Sequence, residues 1–284
     1  MRSNWITRKV LVAGLLACLI LVLAATYALF GDARPPLDGA GWPLGIDFSA
    51  LWAAGRAGLN GDYSAAYSLP WFFSHLRDLF AQGALKLVWA YPPVFYFIVI
   101  PLAMLPYGTA VAIWLGCGFA ALAALARQII RDPLILLAVV AFPGVFGNAI
   151  HGQTGFLTAS LLAGALLALP IRPVLAGILF ACLAYKPQFA LLLPVALAAG
   201  GYWRTFIAAA IFGLLLAAAS VFAFGWESWT GFFSVLQEMR VQTLEQGKNG
   251  YHNMISVFAA ARLYGLPLAL AWAVAAPAGQ AGLL

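Results

Sequence analysis

The sequence predicts an all-α, polytopic helical membrane protein, and three observations predict it. Of 284 residues, 64% are apolar and only 8% charged, against about 45–50% and about 25% in an average soluble domain. The mean hydropathy is +0.94, which implies more apolar surface than a soluble fold of this size can hide. The apolar residues fall into long runs, and a backbone in lipid must satisfy its own hydrogen bonds, so such runs fold as helices. Other classes drop out on the same numbers. Cys18, Cys117 and Cys182 lie inside apolar runs and build no disulfide framework. The net charge of +6 comes from basic residues scattered singly, not from a patch that would hold nucleic acid. Charge is too sparse for disorder.

Taken in order, the runs predict about eight transmembrane helices. Val10–Phe30 follows Arg2, Arg8 and Lys9. It is longer than a signal-peptide core and no A-x-A site directly follows it, so it reads as an uncleaved span. Then come Thr109–Ala126, Pro133–Phe146, Phe156–Leu169, Val174–Ala184, Leu191–Ala199, Phe206–Phe224 and Leu266–Leu284. Tyr91 to Pro106 is apolar but short for a crossing. With Pro92 at its start and Pro101 and Pro106 at its end, it reads as a re-entrant or interfacial helix. Val174–Ala184 and Leu191–Ala199, with Lys186-Pro187 between them, read as a helical hairpin.

Charge sets the orientation. With a cytoplasmic N-terminus, the inner segments carry seven Lys/Arg (2, 8, 9, 127, 131, 172 and 204) and one acid, Asp132. The outer segments carry eight of each sign. The whole net charge lies on one face, as the positive-inside rule expects. The chain reads as a single transmembrane domain, 1–284, with extracytoplasmic segments at 31–107 and 225–265. It reads as a multi-pass protein of the plasma (cytoplasmic) membrane.

Segment 31–107 is too long for a connector. It opens with turn formers, Gly31-Asp32, Arg34-Pro35-Pro36 and Asp38-Gly39. Phe48, Leu51, Trp52 and Leu59 then recur at helical spacing, with Asp47 at the start and Asn60-Gly61 at the end. On spacing alone Asp47 reads as an N-cap. Arg56 on the same helix is either a solvated charge or a phosphate contact. Trp42, Trp52, Trp71, Trp89, Trp226 and Trp229 read as an interfacial belt.

The ordered set Gly45-x-Asp47-Phe48, Trp52-Ala53-Ala54-Gly55-Arg56, Gly61-Asp62-Tyr63, Tyr67, Tyr91-Pro92-Pro93, Pro101-Leu102, Leu105-Pro106, Gly152-Gln153 and Lys186-Pro187 resembles the GT-C membrane glycosyltransferases. More narrowly it resembles family 87 (DUF2029), whose best-known members are polyprenyl-phosphate-mannose-dependent α-mannosyltransferases. Members are usually longer, and this chain stops in an apolar stretch, which reads as a C-terminally truncated member. The resemblance implies a catalytic Asp on the first outer loop, at the extracytoplasmic side of the membrane. It implies an inverting transfer of mannose or a related sugar from a polyprenyl-phosphate carrier to a lipid- or glycan-linked acceptor. Asp47 is the residue at that position.

One carboxylate suffices for such chemistry. It takes a proton from the acceptor hydroxyl, while the lipid phosphate leaves as an anion and needs no general acid. Lys186 is the only Lys in an apolar stretch, and a charge there is a functional candidate by default. Its alternative is a side chain snorkelling to the interface. His151 and Gln153 at the outer end of a span are candidates for binding sugar hydroxyls or phosphate, or a plain polar turn. His252, in Gly250-Tyr251-His252-Asn253, and Arg56 complete the substrate-binding candidates. No HExxH, paired Cys/His, Asp-x-Asp, Walker or G-x-G-x-x-G pattern occurs, so no metal and no cofactor is expected. The competing readings are a lipid or lipid-linked-sugar flippase without transferase activity and a non-catalytic scaffold.

Overall fold

A computed structural model describes residues 2–30, 37, 41–80, 86–248, 250–254 and 256–276. Among them every regular element is helical, and an isolated bridge between Leu37 and Pro43 is the sole extended pairing. The order is α1 (Arg2–Phe30), α2 (Ile46–Leu59), α3 (Leu69–Phe80), α4 (Tyr96–Ala103), α5 (Tyr107–Ile129), α6 (Leu134–Ala141) and α7 (Pro143–His151). It continues with α8 (Gly155–Ala168), α9 (Pro173–Cys182), α10 (Pro187–Ala199), α11 (Trp203–Phe224), α12 (Trp226–Met239), α13 (Val257–Leu263) and α14 (Leu268–Ala275). The turn formers at 31–36 and 38–40, and the end of the last apolar run, 277–284, lie outside the described residues.

The protein is a polytopic membrane protein. Three described helices are long and apolar enough to cross: α1 from Thr7 to Tyr27, α5 and α11. The pair α6–α7, bent by 53° at its break, is long and apolar enough only when the two helices are taken together, as one broken span or a re-entrant loop. The bend has a cause in the sequence: Phe142 is extended and Pro143 opens α7 without an N–H to carry the ladder across. Each of the eight apolar runs does fold as helix, the last as far as it is described. Length separates them. α8, α9 and α10 have 14, 10 and 13 residues, short of the roughly 17–25 of a full crossing, because Pro170, Pro173 and Pro187 cut the backbone early. Where α9 crosses α11 the backbones nearly touch: a methyl at Gly177 would lie 2.7 Å from the Thr205 carbonyl oxygen.

Arg8 and Asp132 approach to 3.6 Å with both side chains exposed. Such a pair is worth little as energy. It does place the basic start of α1 and the α5–α6 turn at the same end of the bundle.

Most of the largest fully buried side chains lie in the segment before α5, among them Trp89, Tyr96, Phe48, Phe72 and Phe95. α2 runs between Gly45, at φ 67°, and Asn60-Gly61, as the helical spacing predicts. α3 turns Leu69, Phe72, Leu76 and Phe80 inward, one stripe of an amphipathic helix. α4 lies along α2 between its bounding prolines, so closely that a methyl at Gly55 would collide with the Val99 carbonyl oxygen. Tyrosine hydroxyls tie the layers to backbone: Tyr67 donates to the Tyr91 carbonyl at 2.8 Å and Tyr96 to that of Tyr63 at 2.9 Å. The tryptophan belt needs one correction. Trp89 is 0% exposed among Tyr67, Tyr91, Phe95 and Tyr96, so it is core rather than interface. A second, smaller core joins Leu244, Phe258, Ala261, Ala271 and Ala275 near the C-terminal end of the described chain.

Candidate functional site

Two tight glycine turns, far apart in sequence, meet back to back. Gly45 precedes α2, and Gly152 closes α7 at φ 69°. A methyl at Gly152 would lie 2.6 Å from the Phe48 Cβ and 3.1 Å from the Gly45 Cα. Both positions need glycine, for the left-handed backbone and for the close approach. α5 is the post on which the turns hang. Tyr107 donates to the Leu44 carbonyl at 2.5 Å, and Trp114, two turns on, donates from Nε1 to the Gly152 carbonyl at 3.1 Å. The Phe48 ring packs on both rings, with centroids 5.7 and 5.9 Å away.

The meeting of these turns brings Asp47 and Gln153 together. Gln153 donates from Nε2 to Asp47 Oδ2 at 2.9 Å. Asp47 is therefore not the N-cap that its spacing suggests. Gly45 holds that position without a side-chain hydrogen bond, and the Asp47 carboxylate faces across to the α7–α8 turn. Beside the pair lies a cavity of about 350 Å³, within the size range of small-ligand sites. Its walls are Asp47, Ala50 and Leu51 from α2, Leu87, Val88 and Tyr91, residues 152–155, and Lys186.

The electrostatics favour an anion beside the carboxylate. Three helices begin at this wall: α2 just before Asp47, α8 at Gly155 and α10 directly after Lys186. Their first N–H groups and dipoles favour negative charge. Asp47 puts a carboxylate in the first turn of one of them, α2. Thr154 precedes α8 without a side-chain cap, which leaves that terminus open to a bound anion. Lys186 is half-buried, its Nζ 5.9 Å from the Tyr185 ring centre, and among the described residues it has no carboxylate partner. Burial pushes its ammonium below the usual lysine range. An arriving phosphate would offset that desolvation. Tyr185 fixes the backbone just before Lys186: its ring stacks on Phe95 at 4.6 Å and its hydroxyl pairs with Thr158 Oγ1 at 2.6 Å.

The structure thus unites three of the sequence candidates, Asp47, Gln153 and Lys186, and leaves three outside. Arg56 lies on α2 about 13 Å along the axis from Asp47 and half a turn out of phase, with its guanidinium 5.6 Å over Trp52. His151 is exposed, and its Nδ1 lies 2.8 Å from the Gly147 carbonyl oxygen one turn back. His252 is exposed in the 251–253 turn beside the second core. Tyr91 and Thr154 line the cavity although the sequence reading gave them no site role. Their signal was adjacency: Tyr91 opens the Tyr-Pro-Pro stretch and Thr154 follows Gly152-Gln153 directly. Among the described residues no cluster of His, Cys, Asp or Glu is built to hold a metal.

Fold and cavity define a helical membrane protein with a polar chamber where the starts of α2, α8 and α10 meet. The model of glycosyltransferase family 87 matches residues 89–284. The chain belongs to that family, and it is a membrane-embedded glycosyltransferase. The matched stretch includes Gln153 and Lys186, and Asp47 lies ahead of it. No curated protein and no solved structure matches the chain.

Proposed function

We propose that the protein transfers a sugar, mannose or a close relative, from a polyprenyl-phosphate carrier to a lipid- or glycan-linked acceptor with inversion. The carrying observation is the placement of Asp47, Gln153 and Lys186 around one cavity where helices begin. In this reaction Asp47 takes the proton of the acceptor hydroxyl. The oxygen attacks the anomeric carbon, and the bond from that carbon to the phosphate oxygen breaks. Polyprenyl phosphate leaves with the bonding electron pair, received by the Lys186 ammonium and the start of α8. The proton stays on Asp47 until solvent removes it. Gln153 holds the carboxylate in position. The Arg8–Asp132 pair puts the basic ends of α1 and α5 together. The chain then runs through α6–α7 to the opposite end at Gln153, which supports an extracytoplasmic active site in the plasma membrane.

The test is transfer from labelled polyprenyl-phosphate-mannose in membrane vesicles, native chain against Asp47→Asn at equal abundance. We expect a loss of about 10²–10⁴-fold in the variant. Equal rates would remove Asp47 as the base. No transfer by the native chain from any of several lipid-linked sugars, with lipid-linked sugar moved across the vesicle membrane instead, would favour the flippase reading.

A further inference from the structure

The cavity beside Asp47 has two unlike parts. Asp47, Gln153, Thr154 and Lys186 bring polar side chains; Ala50, Leu51, Leu87 and Val88 bring none. Tyr91 stands with the second group. Among the described lining residues, its hydroxyl is the side-chain hydrogen-bonding group of the 87–91 wall. The steps assigned to Asp47, Gln153 and Lys186 do not use it. Its position is nevertheless fixed from several sides. Its carbonyl accepts the Tyr67 hydroxyl at 2.8 Å, and Pro92 follows it and restricts its backbone to extended conformations. Its ring stacks on Phe95 at 4.8 Å and packs on Trp89 at 5.3 Å. Trp89 and Phe95 are themselves 0% and 1% exposed, and a close-packed interior keeps them in place. A side chain fixed before its ligand arrives loses little freedom on binding, which favours affinity.

The place of the hydroxyl decides what it can touch. It is close to the Thr154 side chain and within the field of the Asp47 carboxylate. Its ring is 6.1 Å from that of Tyr185, the residue before Lys186. Tyr91 thus borders both the carboxylate assigned to the acceptor hydroxyl and the helix starts assigned to the phosphate. The sugar in transit is bonded to that phosphate at the carbon the acceptor attacks, so its ring occupies the interval. Ring hydroxyls that turn to the apolar wall lose water and, Tyr91 apart, meet no described side chain that replaces it, which is destabilising. Burial holds the Tyr91 hydroxyl above the usual tyrosine range, against a lowering contribution from Thr154. It stays protonated at neutral pH and can both donate and accept; it is not a second base.

We propose that the Tyr91 hydroxyl binds one hydroxyl of the sugar being transferred and so selects which sugar the cavity accepts. The proposal rests on the reading of the cavity as the transfer site and adds the residue that reads the sugar. A hydrogen bond works over a narrow range of distance and angle, so a sugar epimeric at the carbon that carries the bound hydroxyl is rejected.

The test crosses Tyr91→Phe with a set of polyprenyl-phosphate-mannose donors that each lack one sugar hydroxyl. The full chain is used in phosphatidylcholine vesicles, and both equilibrium binding of the donor and the initial rate of transfer are read. Phe keeps the ring contacts, so the melting temperature should stay close to native. With the native protein, the deoxy donor that lacks the partner of Tyr91 should lose about ten- to a hundredfold in kcat/KM, and with Tyr91→Phe that donor should be used as well as the parent sugar. The other deoxy donors should lose equally in both proteins. Equal losses for every donor in the two proteins overturn the proposal, as does a native rate for Tyr91→Phe with the parent sugar. A coupling seen with deoxy acceptors instead of deoxy donors moves the contact to the acceptor and also overturns it. Donor binding that shows the coupling in a protein that transfers no sugar leaves the role of Tyr91 standing and sinks the transferase reading. Transfer without the coupling does the reverse, and a chain that neither binds nor transfers these donors loses both.

Discussion

Residues 41–107 and the long crossing helices are built on opposite terms. The described part of the first region, 41–80 and 86–107, is a packed core: Phe48, Phe72, Trp89 and Tyr96 are 0% exposed, and Trp and Tyr side chains are hydrogen-bonded to backbone carbonyls across layers. In the crossing windows of α1, α5 and α11 only 0%, 11% and 6% of residues are buried within the protein. Leu21, Leu214 and Phe222 are 69%, 72% and 91% exposed. Those helices turn their apolar residues to lipid, and they owe their place to the bilayer more than to each other. The difference teaches where precision resides. Lipid accepts any apolar side chain, whereas a close-packed interior is sensitive to single methyl groups. The Asp47–Gln153 contact is built on the sensitive part, and α5, through Tyr107 and Trp114, is the crossing helix that joins the two.

The contrast can be broken most sharply at Gly152. Gly152→Val forces a β-branched residue into a left-handed backbone and drives its Cβ into Phe48. Strain and overpacking together should cost roughly 2–6 kcal/mol. Limited proteolysis of membrane-inserted protein should show residues 41–107 opened while α11 remains protected. Next in size is a matched pair of truncations. Phe48→Ala should lower stability by about 3–5 kcal/mol in a reversible denaturation series, whereas Leu214→Ala on α11 should change it by under about 0.5 kcal/mol. Similar losses in the two variants would dissolve the distinction between the regions.

A smaller effect belongs to His75 on α3. Its Nε2–H donates to the Ala53 carbonyl at 3.1 Å, and its ring stacks on Trp71 at 4.8 Å. Burial lowers its pKa below the ordinary 6.5, with a smaller push in the same direction from Arg56, against raising contributions from the Ala53 hydrogen bond, Asp62 and Asp78. The unfolded chain therefore takes up the proton first. The stabilisation is complete above pH 6.5 and is lost as the pH falls through that value towards the lowered one of the folded protein. The melting temperature of the native protein should fall over that window, and His75→Leu should flatten the slope.

Much of the fold was legible in the sequence. Asp47 and Asn60-Gly61 marked the two ends of α2, Pro92 and Pro106 flanked α4 although Pro101, expected to interrupt its end, lies inside it, and the apolar runs became helices. Lengths were less legible. A run interrupted by proline looks continuous to a composition count, yet Pro143 breaks the 133–146 run into α6 and α7 at 53° to each other, whereas Pro194 sits inside α10 without ending it. The site was half legible. Asp47, Gln153 and Lys186 were each singled out, but their union was not, because it depends on two glycine turns 107 residues apart touching through backbone. Nothing local in either turn announces its partner. Arg56 could have been set aside from the sequence, because nine helical residues carry a side chain to the opposite face. Trp89 illustrates the converse: its neighbours in space, Tyr67 and Tyr96, come from separate elements, so its burial had no local sign.

The most direct measurement is the initial rate of sugar transfer by Gln153→Leu beside Arg56→Leu, in vesicles at matched protein abundance. Gln153 touches the Asp47 carboxylate from the α7–α8 turn, whereas Arg56 shares α2 with Asp47 and faces away. The account predicts a fall of about tenfold or more for Gln153→Leu, the loss expected when a hydrogen bond to a charged group is removed, and a rate close to native for Arg56→Leu. A near-native rate for Gln153→Leu together with a collapse for Arg56→Leu would contradict it.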